Sequence, residues 1–424
     1  MGKKVYFIGI KGVGMTALAL AMQDAGWNIR GCDTTEIFIT DAILAKRNIV
    51  VDTLNSPLPN DLDLIIHSAA YAAPKTSVTT LNLAQALADF VKDRRVIAIT
   101  GVGGKTTTSA MLAALFHNAG RDVGYYVGTS TIAGLDAPGH NGTDPYYVIE
   151  ADEYALSKTD SRPKFALLNP EIVITTNIVH DHPDIYPTEA DTLRVFTDLV
   201  AKIPETGTWI YNDTDPLTLK ILGNQTPVCH LVPYNLNLEP LKLSVFGDQN
   251  LLDGQAAVQA AIAAGLTKDQ AMRSIGAYKG AGRRQESHGE VHGRLLYDDY
   301  GHHPGEIGIT VQSFKNNFPA RRLILVFESH TYTRTESLLP DFAKAISLAD
   351  KAFIMPIFES AREHGQPHHV TPESFAALIP NATALTWDNA AQTVWEFSQP
   401  GDIILTMGAG FVYKLHEEFK SFIN

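Results

Sequence analysis

Arg94-Arg95-Val96-Ile97-Ala98-Ile99-Thr100 runs directly into Gly101-Val102-Gly103-Gly104-Lys105-Thr106-Thr107-Thr108, and then into the apolar-periodic stretch Ser109–Gly120. The first seven residues read as a buried strand, the glycines as a tight loop, and the remainder as a helix closed by Gly120. In such a unit successive backbone N–H groups point inward and the helix adds its positive N-terminal end, so the loop cradles phosphate oxygens. Glycine is needed because a Cβ would hold the backbone away from the anion. Lys105 can reach the β and γ phosphates of a nucleotide, and the Thr106 hydroxyl can ligate Mg²⁺. The pattern is a shortened phosphate loop: Ile99 stands where the full signature has its first glycine, leaving G-x-x-G-K-T-T.

On either side, buried strands alternate with helices. Val5–Ile10, Trp27–Asp33 and Asp61–Ala70 read as strands before the loop, with a helix from about Met15 to Ala25. Residues 146–152, 171–177 and 206–213 read as strands after it. Beyond Gly280-Ala281-Gly282-Arg283-Arg284, the segments GRLLYDDY, RRLILVFES, KAFIMPIF and GDIILTMG predict a third parallel sheet. This alternation predicts α/β domains with doubly wound, mostly parallel sheets and ligands at the C-terminal strand ends. The boundaries are placed near residues 93 and 281, giving domains 1–93, 94–281 and 282–424.

A second glycine turn, Gly9-Ile10-Lys11-Gly12-Val13-Gly14, follows the first strand, and Asp33 ends the second, where an acid meets a ribose in dinucleotide folds. The spacing is G-x-x-G-x-G rather than G-x-G-x-x-G. A helix start ready for a diphosphate is the physical reading, and NAD and UDP both carry one.

Further along, Glu150 lies in VIEADEY at a strand end, where a carboxylate can hold Mg²⁺ against a nucleotide. Alternation would put Glu150 and Asp152 on one face. Asn177-Ile178-Val179-His180-Asp181-His182 ends another strand; His182 is a candidate second metal ligand, with Asp181 orienting it. Arg283-Arg284 sit at the proposed hinge, with guanidinium groups suited to phosphate. Asp298-Asp299-Tyr300-Gly301-His302-His303-Pro304 and His330-Thr331-Tyr332-Thr333-Arg334-Thr335 end two later strands, and Arg334 offers a planar fork to a small carboxylate.

The chain has 424 residues, 45% of them hydrophobic and 19% charged, with a net charge of −12. That balance fits a globular protein with a sizeable core and disfavours general binding to nucleic acid or an anionic membrane. The two cysteines, Cys32 and Cys229, exclude a disulfide framework and fit a reducing compartment. No uninterrupted apolar run has spanning length and no signal peptide is read, so a cytoplasmic protein is expected.

The ordered set TGVGGKTTT, EADE, N-x-x-x-D-H, GxGRR, DDYGHHP, HTYTRT and MGAG resembles the Mur ligases over the whole chain. FIGIKGVGM, DDYGHHPGEI, SHTYTRTESLLPDFAKAISLAD and IFESARE are similar to the branch that adds L-alanine to UDP-N-acetylmuramate. The resemblance implies three domains: a Rossmann-like N-terminal UDP-sugar domain, a phosphate-loop-like central ATPase, and a Rossmann-like C-terminal domain for ATP and the amino acid. It implies ATP-dependent amide formation through an acyl phosphate, with ATP and Mg²⁺ as cofactors, in peptidoglycan precursor synthesis and so in cell-wall growth and division. A monomer or homodimer is expected.

By the same resemblance, Gly12, Val13, Gly14, Asp33, His67, Ser68 and Ala69 bind the UDP-sugar. Gly101, Val102, Gly103, Gly104, Lys105, Thr106, Thr107, Asn250 and Arg283 bind ATP. Thr106 and Glu150 serve one metal and His182 the other. Lys105, Glu150, His182, His302, Arg334 and Asp299 form the catalytic set. The chain departs from the family where Val102 and Gly103 replace the Thr and His of the usual loop, Gln249 replaces His, and Phe411 replaces Asp after MGAG. Some sister ligases carry a carbamoylated lysine after D-H; residues 183 to 201 contain no lysine, and none is expected here. Three rivals remain: a ligase that recycles murein tripeptide onto the same sugar nucleotide, a dinucleotide-dependent oxidoreductase, and a non-catalytic nucleotide-binding regulator.

Overall fold

The protein is described by a computed structural model covering residues 2–157, 160–180, 185–359, 363 and 367–422. Two compact units emerge, Met1–Val245 with Gln249–Ala281, and Phe246–Asp248 with Gly282–Asn424. Among the described residues no helix is long and apolar enough to cross a membrane.

The first unit holds two mostly parallel sheets. Strands β1 (Lys4–Ile8), β2 (Asn28–Asp33), β3 (Val50–Thr53), β4 (Leu64–His67) and β5 (Thr80–Asn82) form one, in the order β3-β2-β1-β4-β5. All its pairings are parallel. The order reverses beside β1, so a crevice opens between the ends of β1 and β4, where such folds bind ligands.

The larger sheet is built from β6 (Arg95–Thr100), β7 (Gly124–Tyr126), β8 (Gly139–His140), β9 (Tyr146–Glu150), β12 (Pro170–Thr175), β13 (Thr208–Asn212) and β14 (His230–Tyr234). A separate antiparallel pair, β10 (Ala155–Ser157) and β11 (Asp160–Pro163), stands beside it. The order of the large sheet is β14-β13-β12-β6-β9-β7-β8, with only the β7–β8 edge antiparallel. Strand β6 is central because it can be: after Arg95, all of Val96–Thr100 is buried. An Ile or Val so buried contributes roughly 1.5–3 kcal/mol. Its neighbours β9 and β12 run in register, Ile99 opposite Glu150 and Thr100 opposite Thr175. The ends of all three strands therefore meet at one edge. Helix Val13–Asp24 packs closely on β8; a Cβ at Gly139 would lie 1.9 Å from the Ala17 carbonyl oxygen.

The second unit holds β15 (Glu286–Val291), β16 (Arg294–Asp299), β17 (Leu323–Phe327), β18 (Lys351–Ile354), β19 (Ala382–Ala384) and β20 (Ile403–Met407), ordered β15-β16-β20-β17-β18-β19. The sheet is parallel except for β15, which pairs antiparallel with β16. ESHGEV is polar and largely exposed, so no hydrophobic period announces that hairpin. Phe246 belongs to this unit and packs edge-on against Tyr297, Phe314 and Phe318.

Candidate active site

Gly101 and Gly104 both take positive φ, +132° and +82°, turning the chain from β6 into helix Lys105–Asn118. Close approach also demands these glycines. A Cβ at Gly101 would lie 2.1 Å from Thr176 Oγ1, and one at Gly104 2.6 Å from Asp253 Oδ1. The loop is braced from β12: Asn177 Oδ1 accepts from the N–H groups of Val102 (3.0 Å) and Gly103 (2.9 Å), and Thr176 Oγ1 donates to Gly103 O at 2.6 Å. Asn177 thus holds the segment where Val102 and Gly103 replace the family's Thr and His.

The Lys105 ammonium donates to Gly101 O (2.6 Å) and Val102 O (3.1 Å), and pairs with Glu153 Oε2 at 2.9 Å. Burial opposes its charge, but Glu153 and Asp152 outweigh burial and its pKa is raised. Thr106 Oγ1 donates to Glu150 Oε1 at 2.8 Å, and the other Glu150 oxygen accepts from Gly128 N at 2.7 Å. Thr107, also buried, follows in the first turn of the helix. Asp152 faces elsewhere than the expected alternation implies. Strand β9 stops at Glu150, and Asp152 instead accepts from Lys164 Nζ at 2.6 Å. Those lysines outweigh burial and lower its pKa.

Asn250 lies in the first turn of helix Asp248–Ala263, one turn ahead of Asp253, whose carboxylate stands against Gly104. The same unit therefore carries the expected adenine contact and the phosphate loop. Asp181 and His182 lie outside the described residues.

The first glycine turn gathers its expected partners as well. Asp33 is buried; its Oδ2 accepts from Lys11 N at 2.7 Å, and its Oδ1 from Thr34 N at 2.8 Å and the Tyr71 hydroxyl at 3.2 Å. It braces the turn. His67 and Ser68 close the other side: His67 Nδ1 bonds the Ser68 and Tyr71 carbonyls at 3.1 Å, and Ser68 Oγ would stand 2.8 Å from a Cβ at Gly9. Ala69 follows, exposed. Helix Val13–Asp24 starts after Gly12 with no side-chain cap, so Val13, Gly14 and Met15 present N–H groups at its start.

In the second unit, Asp299 is buried at the end of β16, accepting from Gly301 N (2.7 Å) and Gln285 N (2.9 Å). Burial, against the pull of Arg284, raises its pKa to about 6. His302 and His330 face each other with ring centroids 6.0 Å apart. Burial, aided by Arg334, lowers each to about 4, so both are neutral at pH 7. His330 stacks on Phe358, and its Nδ1 is buried without a hydrogen-bond partner among the described residues. Thr331 precedes Arg334 with φ +69°, a conformation a β-branched residue rarely adopts.

Arg283 is buried. Its guanidinium donates to Asp298 Oδ2 (2.8 Å) and to the carbonyls of Gly408 and Gly410, locking the MGAG turn. Glu328 fills the inside of that turn, accepting from Val412 N at 2.7 Å. Sequence reasoning passed over Glu153, Asn177, Asp253, His330 and Glu328 as site residues. Glu153, Asn177 and His330 lie inside quoted motifs, but the partner each residue meets is remote in sequence, so motif spacing does not announce the pairing.

Family models match in chain order: the Mur ligase family catalytic domain over residues 4–95, the Mur ligase middle domain over 99–246 and the Mur ligase glutamate ligase domain over 283–410. The chain is 31% identical to a UDP-N-acetylmuramate–L-alanine ligase of Desulfitobacterium hafniense, covering 97% of this chain and 98% of that one. Among solved structures it resembles a UDP-N-acetylmuramate-alanine ligase of Thermotoga maritima, with TM-score 0.78, 21% identity, and coverage of 99% and 98% of the two chains. A murein peptide ligase of Psychrobacter arcticus superposes with TM-score 0.75 and 22% identity over 100% and 99%. These two likenesses concern the fold. With a full-length relative above 30% identity and three domain models in the family's order, the chain belongs to the Mur ligase family.

Proposed function

We propose that this protein joins L-alanine to the lactyl carboxylate of UDP-N-acetylmuramate at the expense of ATP, in peptidoglycan precursor synthesis. The observation that carries the reading is the phosphate loop of β6 with Lys105, Thr106 and Glu150 gathered at its mouth, in a chain whose full-length relatives are named for that reaction. Residues 1–93 would take the UDP-sugar, 94–281 the ATP, and 282–424 the amino acid.

A carboxylate resists attack by an amine until one oxygen becomes a good leaving group. Transfer of the γ-phosphoryl group to the lactyl carboxylate gives an acyl phosphate; the alanine amine attacks its carbonyl carbon and phosphate departs. The Lys105 ammonium, already held in the loop by two carbonyls, lies ready to offset charge on the transferring phosphoryl. The helix start at Lys105 adds its dipole.

The residues present fit Mg²⁺. Thr106 Oγ1 and a Glu150 oxygen stand 2.8 Å apart as hard donors, and no group of three or more His, Cys, Asp or Glu side chains gathers among the described residues. Such a sparse set suits an ion that keeps phosphate and water ligands. When bound, Mg²⁺ supplies charge neutralisation on the phosphate oxygens. In the second unit, Arg334 suits the alanine carboxylate, neutral His302 accepts a hydrogen bond from the amine, and Asp299 holds the loop carrying His302.

The test is ADP release with ATP, Mg²⁺ and UDP-N-acetylmuramate, adding either L-alanine or the murein tripeptide. Release dependent on L-alanine is expected. Release with tripeptide alone would transfer the reading to the recycling ligase, and none with either would make the chain a non-catalytic binder.

A further inference from the structure

Three tyrosines cluster near the end of β7 and on β9, and their hydroxyls fare differently. Tyr125 donates to Ala137 O and Tyr147 to Tyr125 O, each at 3.2 Å. Tyr126 is 8% exposed, its ring packed in the core, yet its hydroxyl makes no hydrogen bond among the described residues. That hydroxyl points at the start of helix Val13–Asp24: a Cβ on Gly14 would lie only 2.4 Å from it. Leu83 Cδ2 closes the third side, 3.4 Å from the same point. The ring is buried but the hydroxyl oxygen keeps some exposure, so it can donate to a ligand. It stands beside a helix start whose exposed groups are themselves N–H donors. An anionic oxygen seated there would satisfy both sets of donors.

Tyr126 also ends β7 opposite Ile149, next to Glu150, and two residues later Gly128 N donates to Glu150. A line of contacts therefore runs from Gly14 through Tyr126, Gly128 and Glu150 to Thr106. It joins the first glycine turn to the phosphate loop within one unit.

We propose that the Tyr126 hydroxyl donates a hydrogen bond to the diphosphate of the UDP-sugar on the first glycine turn, making Tyr126 a substrate-binding residue that aligns that substrate with the ATP site. The proposal rests on the assignment of that turn to the UDP diphosphate. Burial, with Glu150 and Asp152 nearby, keeps the phenol protonated beyond the ordinary tyrosine range, so it remains a donor at working pH.

Tyr126→Phe removes the hydroxyl and keeps the packed ring. Calorimetry with UDP and with uridine, on the wild type and the variant, tests the bond. Loss of a hydrogen bond to a charged acceptor should weaken UDP about tenfold to a hundredfold. Uridine, which lacks phosphate, should bind the two proteins alike, and the KM for ATP should not move. UDP affinity retained within about twofold, or an equal loss for uridine, would overturn the proposal. Failure of the wild type to bind UDP would instead remove the diphosphate assignment on which it rests.

Discussion

Replacing Lys105 by Ala should damage two separable things, and the structure says how far each should fall. The Lys105 ammonium and the Glu153 carboxylate are 13% and 6% exposed and 2.9 Å apart. Deleting one member of such a pair leaves a buried charge unmatched, which costs about 3–5 kcal/mol. The bonds from Lys105 Nζ to Gly101 O and Val102 O are lost too, at roughly 1 kcal/mol each. The melting temperature should drop by on the order of 10 °C.

Adding Glu153→Gln removes the stranded carboxylate, so the double variant should regain most of the stability and stay about 1–2 kcal/mol below wild type for the two missing carbonyl bonds. Turnover should not return, because no lysine ammonium then faces the transferring phosphoryl group. Thermal unfolding and ADP release on the two variants and the wild type supply the readings. A single variant as stable as wild type would refute the burial argument. A double variant that releases ADP at the wild-type rate would refute the role given to Lys105.

Gly101→Ala should abolish ATP-dependent turnover and destabilise the protein by about 1–3 kcal/mol, because φ is +132° and the new Cβ would fall 2.1 Å from Thr176 Oγ1; a fluorescent ATP-analogue titration with wild-type affinity would contradict this. Glu328 is 2% exposed, and burial raises its pKa to about 7. Between the ordinary carboxyl pKa and about 7 the folded state binds a proton the unfolded state does not, so stability should fall as pH rises through that window. Glu328→Gln should flatten the fall, ending up about 2 kcal/mol more stable than wild type at pH 8. Urea unfolding at pH 5 and pH 8 gives the comparison, and parallel losses in both proteins would be the wrong outcome.

Much of the site was legible in sequence where the physics is local. A strand, a glycine loop and a helix start sit side by side in the chain, and the loop's backbone conformation is dictated by its own residues. That is why Gly101–Thr107 and the Gly9–Gly14 turn could be read directly, as could Asp33 and Glu150 at their strand ends. Asp152 was misdirected because alternation assumes the strand continues, and β9 stops at Glu150. Strand β15 and the short strand β7 escaped notice because a polar or three-residue strand carries no hydrophobic period.

By itself, then, the amino-acid order determined the α/β class, the family and the two glycine turns that follow strand ends, since each is written in short runs of neighbouring residues. Only the folded chain decided what braces and charges those turns: Asn177 on the loop N–H groups, Glu153 on Lys105, Asp253 against Gly104, Tyr126 against Gly14. These pairs meet because strand order in the sheets, β12 and β9 flanking β6, sets side by side segments that lie far apart in sequence. That order follows from burying whole strand and helix faces together, a sum over the core that no short stretch of residues contains.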